Sequence, residues 1–305
     1  MYMDYILTTD KITKKFKHVT AVDEVSIHVT RGEVYGLIGR NGAGKTTLLR
    51  MLATLSFPTS GTFMLFGTNG ETKAQMLPRI GVLIEEPGFF QNMTAFQNLK
   101  AKALAFGVKD DSYLKQLLVD VGLGNVGKKT VKHFSLGMKQ RLGIAVAMVN
   151  SPELLILDEP INGLDPQGIA EVRQLLRSLC EKRKITIIIS SHILDELSKV
   201  ADRYGIIHHG KLLDEATNEE LVARCQSYAY IRTDNVEKTS AVLASMGITN
   251  FTYNQDHFEI RERVDEIGKI SMALAKEDVE TLEMRTEGQS LEDYYFRLTG
   301  GDENV

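Results

Sequence analysis

Residues 39–46 read Gly-Arg-Asn-Gly-Ala-Gly-Lys-Thr, three spaced glycines closed by a lysine and a hydroxyl. Glycines let successive backbone N–H groups curl around phosphate oxygens, and the positive end of a following helix strengthens the attraction. An apolar run, EVYGLI, precedes the loop and TTLLRML follows it, which is the strand-to-helix context that the pattern G-x-x-x-x-G-K-[ST] needs. Gly39, Arg40, Asn41, Gly42, Ala43 and Gly44, with Thr47 beyond them, are therefore candidate nucleotide contacts. Lys45 would reach the β- and γ-phosphates, and the Thr46 hydroxyl would bind Mg²⁺.

Two acids end the apolar run ELLIL, at Asp158 and Glu159. A buried strand that stops on two acids delivers them to the carboxyl edge of a sheet, where open α/β folds bind ligands. Taken alone such a pair is an ordinary solvated strand end; beside a phosphate loop, Asp158 would hold Mg²⁺ and Glu159 would orient or deprotonate an attacking water. His192 ends the run ITIIISS. A lone histidine is usually a surface or capping residue, but at this edge it can bond a γ-phosphate oxygen. Upstream, HFSLGMKQRLGIAVAMV places Ser135 as an N-cap, with Met138, Leu142, Ala145 and Met148 or Val149 at helical spacing. By itself this is a commonplace helix start. Glu85 and Glu86 are a different case, because neighbours on an extended segment point to opposite faces. At most one of them can serve a site.

The elements that must position these residues follow from hydropathy. From residue 5 to about 213, short β-rich runs (EVYGLIG, RIGVLI, ELLILD, ITIIIS, YGIIHHG) alternate with longer amphipathic stretches, predicting an α/β domain with parallel strands buried on both faces. Between Met93 and Lys132, TAFQNLKAKALAFGV and DSYLKQLLVDVGL carry apolar residues at helical spacing and predict a helical insertion. Residues 226–305 predict a small α+β domain: strand SYAYIRT, helix VEKTSAVLASMG, a strand pair around ITNFTYNQDHFEIRE, helix VDEIGKISMALAK, strand VETLEMRT and a last helix SLEDYYFRLTG, with DENV frayed.

Composition narrows the class. A chain of 305 residues, 43% hydrophobic and 25% charged, can bury a sizeable core. Its net charge of −4 offers no general attraction to nucleic acid or to an anionic membrane, so no nucleic-acid partner is expected. Cys180 and Cys225 lack metal-ligand spacing and read as two inert buried thiols of a reducing compartment. The N-terminus lacks the order of a signal peptide, and no apolar run approaches the ~18–20 residues of a membrane span. Any membrane connection would run through a partner.

The order phosphate loop, Ser-x-Gly helix, LLILDEP, NGLD, SSH resembles the nucleotide-binding subunits of ATP-binding-cassette (ABC) transporters over residues 5 to about 213. The resemblance implies a P-loop NTPase cassette, a mixed-sheet core in residues 1–215 with a helical subdomain at about 93–150, and an accessory domain at 226–305. It implies that Phe16 stacks on adenine, where core packing is the alternative. Ser135 and Gly137 of FSLGM would bind the γ-phosphate held by the opposite subunit, and Asp165 of NGLDP would join the two sites. Implied cofactors are ATP and Mg²⁺. Implied partners are an integral membrane permease and a second copy of the chain, or a related ATPase subunit. The place would be cytoplasmic, peripheral on the inner face of the membrane.

Two departures from the family pattern stand out. Leu136 and Met138 replace the usual Gly and Gln of the signature, and Glu85 stands where the family places a Gln that touches Mg²⁺ and the attacking water. Glu keeps an oxygen for the metal but exchanges an NH₂ donor for negative charge; Glu86 would point away. With SLGMKQRLGIA, GRNGAGKTT and SLEDYYFRLTGG, Glu85 resembles the branch tied to self-protection against bacitracin and lantibiotic peptides. Phe89, Phe90 and Met93 would line a docking groove for the permease, or else pack the helical insertion onto the core. A soluble ABC ATPase and a phosphate-loop kinase are the rival classes; the kinase leaves FSLGM, NGLD and His192 unexplained.

Overall fold

The computed structural model describes residues 4–67, 73–85, 87–225, 228–287 and 291–299. Glu86, part of the last predicted helix and the DENV terminus lie outside them. The chain divides into two compact units, Met1–Asn218 and Glu219–Val305.

The first unit begins with β1 (Tyr5–Phe16), β2 (Val19–Val25) and β3 (His28–Thr30). After β4 (Val34–Ile38) and α1 (Lys45–Leu52), β5 (Ser60–Leu65) returns to pair with β1. β1 pairs antiparallel with β2, β3 and β5, making a four-stranded sheet that the sequence reading did not resolve. Its strands carry mixed burial rather than apolar runs, because only one face meets the core. Register shifts in β1 at Ile12–Lys15 let its far half pair with β2 while its near half pairs with β3.

The elements that complete this unit come next: α2 (Lys73–Met76), β6 (Ile80–Leu83), α3 (Ala95–Ala105), α4 (Asp111–Asp120), α5 (Leu136–Ala147), β7 (Leu154–Leu157), α6 (Pro166–Arg183), β8 (Thr186–Ser191), α7 (Leu194–Leu197), β9 (Arg203–His208) and β10 (Lys211–Thr217); α8 (Asn218–Arg224) then opens the second unit. The second sheet runs β10-β9-β4-β8-β7-β6, with β9, β4, β8, β7 and β6 parallel and β10 antiparallel at the edge. Every residue of β4, β7 and β8 is buried. Burial on both faces is why these strands read as unbroken apolar runs. Parallel alignment brings the carboxyl ends of β4, β6, β7 and β8 to one edge; Gly39, Asp158 and His192 directly follow β4, β7 and β8, and Glu85 stands two residues past β6.

Leu48, Leu49, Met51 and Leu52 of α1 are buried in one cluster with Ile6, Leu7 and Ile12 of β1 and Leu37, Ile156 and Ile188 of the parallel sheet. The helix that opens at the phosphate loop is thereby fixed between the two sheets. The predicted helical insertion forms α3 and α4. Thr94 caps α3 through a reciprocal box with Gln97, Asp110 caps α4, and Ser135 caps α5. Of the apolar positions predicted on α5, Leu142, Ala145 and Met148 are buried while Met138 is only half-buried.

The second unit contains β11 (Tyr228–Thr233), α9 (Val236–Ser245), β12 (Phe251–Asn254), β13 (His257–Ile260), α10 (Ile267–Lys276), β14 (Thr281–Glu287) and α11 (Leu291–Leu298). Its antiparallel sheet has the order β12-β13-β11-β14, the ferredoxin-like βαββαβ arrangement. Leu243 of α9 and Ile270 and Leu274 of α10 pack on Ala229, Ile231, Phe258 and Ile260 of the sheet. Cys180 is buried and its Sγ donates to the Gly32 carbonyl, but Cys225 is only half-buried, so the two thiols do not share one environment. Among the described residues no helix is long and apolar enough to cross a membrane.

Phe258 has no exposed surface, so Phe258→Ala should lower the stability of the second unit by ~3–5 kcal/mol. The check is urea unfolding followed by circular dichroism; an unchanged transition would mean that this cluster does not hold the unit together.

Candidate nucleotide site

Residues 39–44 turn from β4 into α1 with Gly42 and Gly44 in left-handed conformations, at φ 81° and 106°. The Gly39 N–H donates to the Ser191 carbonyl and the Ala43 N–H to that of Arg40. A Cβ on Gly44 would lie 2.4 Å from the Ala21 carbonyl oxygen, and one on Gly39 would lie 2.5 Å from that of Ile207. No side chain fits at either place. Behind the loop, His209 and Gly210 form a two-residue turn with φ 45° and 79°, the type I′ geometry that joins β9 to β10. The Gly210 N–H donates to the Ala43 carbonyl and the Asp23 N–H to that of Gly210, so strand β2 and this turn clasp the loop. Sequence reading missed the turn, although a glycine closing HHG was a usable signal.

Lys45 is 5% exposed despite its charge. Its Nζ donates to the carbonyls of Gly39, at 2.6 Å, and Arg40, at 3.2 Å. It also lies 3.1 Å from Glu159 Oε1. That contact is an ion pair by distance only: Oε1 is buried and accepts no hydrogen bond. The Thr46 hydroxyl donates to Asp158 Oδ2 at 2.7 Å, and Ser190 Oγ donates to Asp158 Oδ1 at 2.5 Å. The Glu159 N–H donates to the same Ser190 oxygen, while His192 Nδ1 lies 2.9 Å from Glu159 Oε2. Glu159 itself adopts φ 48°, a strained choice for a residue with a side chain. Five sequence-predicted residues, Lys45, Thr46, Asp158, Glu159 and His192, thus join one network. Ser190, absent from that prediction, links its two acids; it lies in β8, two residues before His192.

The other predicted residues lie elsewhere. Glu85 has φ 64°, is largely exposed, and pairs with the Arg50 guanidinium of α1 rather than with Thr46 or Asp158. Phe16 is 51% exposed at the end of β1, with Lys14 Nζ 5.1 Å from its ring centroid, so core packing is not its role. Arg40, Asn41 and Gly42 are exposed at the loop tip, Ala43 is buried, and Thr47 is half-buried.

Ser135, Leu136, Gly137, Met138, Gly163 and Asp165 line a separate cleft of about 440 Å³ to which the phosphate loop contributes no residue. Ser135 Oγ accepts from the Met138 N–H, and Asp165 Oδ1 accepts from the Gly168 N–H to cap α6. Leu136, 46% exposed, reaches over Gly163. A third concavity, about 450 Å³, lies between β6, α3 and α5 and is lined by Leu83, Pro87, Phe89, Phe90, Ala101 and Val146, among others. Met93 is exposed but does not line it.

The profile of the ABC transporter family matches residues 22–162. The bacitracin transport ATP-binding protein BcrA of Enterococcus faecalis is 40% identical over 303 residues, 99% of this chain and 98% of that protein. This chain belongs to the ABC transporter family. Its activity is ATP hydrolysis coupled to transport. The ABC relative SrtF of Streptococcus pyogenes, a lantibiotic transport ATP-binding protein, is 45% identical over 210 residues, 69% of this chain and 90% of that protein. Among solved structures, cbiO1 of Clostridium perfringens, part of the ABC transporter complex cbiONQ, superposes with a TM-score of 0.66 at 25% identity, covering 80% of this chain and 96% of that one. The match to BcrA spans both units of this ABC subunit.

Gly44→Ala places a Cβ against the Ala21 carbonyl in a backbone conformation that alanine resists. ATP affinity should fall at least about tenfold, ~1.4 kcal/mol. Titration with a fluorescent ATP analogue measures it, and wild-type affinity would show that the loop gives way at no cost.

Proposed function

We propose that two copies of this chain clasp two ATP molecules, each held by the phosphate loop of one copy and the Ser135 cleft of the other, and that their closure drives a membrane permease that exports antimicrobial peptides. One observation carries the reading: the Lys45–Glu159 network and the cleft of Ser135, Gly137 and Asp165 are separate places on one chain. Each is half of a site for a triphosphate. The cargo follows the names of BcrA and SrtF, which are bacitracin and lantibiotic transport proteins. No observation favours a role outside transport.

Lys45 would exchange its loop carbonyls for β- and γ-phosphate oxygens, keeping its charge satisfied. Thr46 and Asp158 offer hard oxygens 2.7 Å apart, and among the described residues no three acidic, histidine or cysteine side chains form a cage. That sparse donor set fits Mg²⁺, which takes one or two protein ligands and completes its shell with phosphate and water. Bound there, Mg²⁺ would screen the triphosphate charge.

Glu159 has one carboxylate oxygen beside His192 and the other 3.1 Å from Lys45 Nζ; once Lys45 turned to the phosphates, that second oxygen would be released to accept from an attacking water. His192 would hold the carboxylate in place and reach the γ-phosphate. Phe16, exposed at the end of β1, would stack on adenine; Arg40, Asn41 and Gly42 would form the rim. Across the dimer, Ser135 Oγ and the Gly137 N–H would meet the γ-phosphate, aided by the N-terminal end of α5. Asp165 would connect the two sites.

The apolar groove of Phe89 and Phe90 is suited to a helix of the permease, which would hold this cytoplasmic subunit on the inner face of the membrane.

Glu159→Gln should retain ATP but hydrolyse it about 10²–10⁴ times more slowly, because general-base help is lost. With Mg²⁺ and ATP the variant should accumulate as a dimer in light scattering. A persistent monomer at saturating nucleotide would overturn the two-copy site.

A further inference from the structure

Glu85 places a third carboxylate at the edge that already holds Asp158 and Glu159. β6 and β7 run parallel with Leu83 opposite Leu157, and the Asp158 N–H donates to the Leu83 carbonyl, so the ends of these strands are neighbours. An uncompensated charge there would oppose a triphosphate. Arg50 is four residues beyond Thr46 on α1, hence on the same helix face one turn further in. That face is turned toward the acids, because Thr46 bonds Asp158 while the Arg50 guanidinium takes Glu85.

We propose that Arg50 is a positioning residue that neutralises Glu85 and holds it one helical turn behind Thr46, so that ATP enters without meeting a bare carboxylate. The inference rests on the assignment of the phosphate loop to ATP. Both partners are substantially exposed, at 45% and 64% of their side-chain surface, and such pairs add little to folding stability. The consequence of losing Arg50 therefore falls on ligand binding rather than on the melting temperature. It also depends on the charge at position 85, which a purely structural arginine would not require.

The experiment is a double-mutant cycle of wild type, Arg50→Gln, Glu85→Gln and the double variant. A fluorescent ATP analogue is titrated with chelator and again with Mg²⁺. Without metal, Arg50→Gln should weaken binding about fivefold when Glu85 is present and less than about twofold when it is Gln, the scale of one solvent-exposed charge within a few ångströms of a phosphate. Mg²⁺ should recover most of the loss, and melting temperatures should stay together. Equal weakening in both backgrounds, or none in either, would overturn the role of Arg50. Failure of the wild type to bind the analogue would overturn the nucleotide site as well, and is distinguished because it precedes any substitution.

Discussion

A lysine ammonium almost fully removed from solvent is the constraint around which the first unit is arranged. Lys45 is tolerable at 5% exposure because two loop carbonyls and the Glu159 carboxylate surround it. An unpaired ammonium there would cost several kcal/mol. The demand for carbonyls facing inward curls residues 39–44, and the curl in turn excludes side chains at Gly39 and Gly44. Glu159 can serve as counter-ion only because β7 delivers it beside the loop, and β7 is there because the sheet is parallel. The same charge that organises the loop is the one suited to a triphosphate.

The sheet's buried strands and their terminal residues were legible in sequence because burial on both faces leaves apolar runs, and parallel strands put their ends together. The network of Lys45, Thr46, Asp158, Glu159 and His192 follows from those two facts. The antiparallel sheet around β1 was not legible: LTTDKITKKF, inside β1, mixes polar and apolar residues without a clean period and bends where its register shifts. Ser190, Arg50 and Gly210 were missed for another reason. Each acts on a residue distant along the chain, and nothing local marks a serine on a strand or an arginine on a helix as a partner of an acid. Glu85 shows the limit most plainly, since its partner Arg50 lies 35 positions back.

Within the described residues the elements of the second unit match those read from sequence, because α9 and α10 each carry an apolar stripe and β13 alternates buried with half-buried residues. Sequence pattern alone did not order its strands. The order β12-β13-β11-β14 follows once each helix crosses over the same face, leaving the opposite face to charged and aromatic side chains such as Tyr230, stacked on His257 and beneath Arg285.

The Ala21 carbonyl touches the Cα side of both Gly44 and Gly210. Because the contact is made by main chain, any residue at position 21 presents the same carbonyl, whereas a side chain at either glycine would collide with it. Drift in homologous genes would thus be asymmetric: the contact itself sets no residue type at 21 but fixes glycine at 44 and 210. A search for kin weighted by side-chain identity alone would overlook the strand that enforces both.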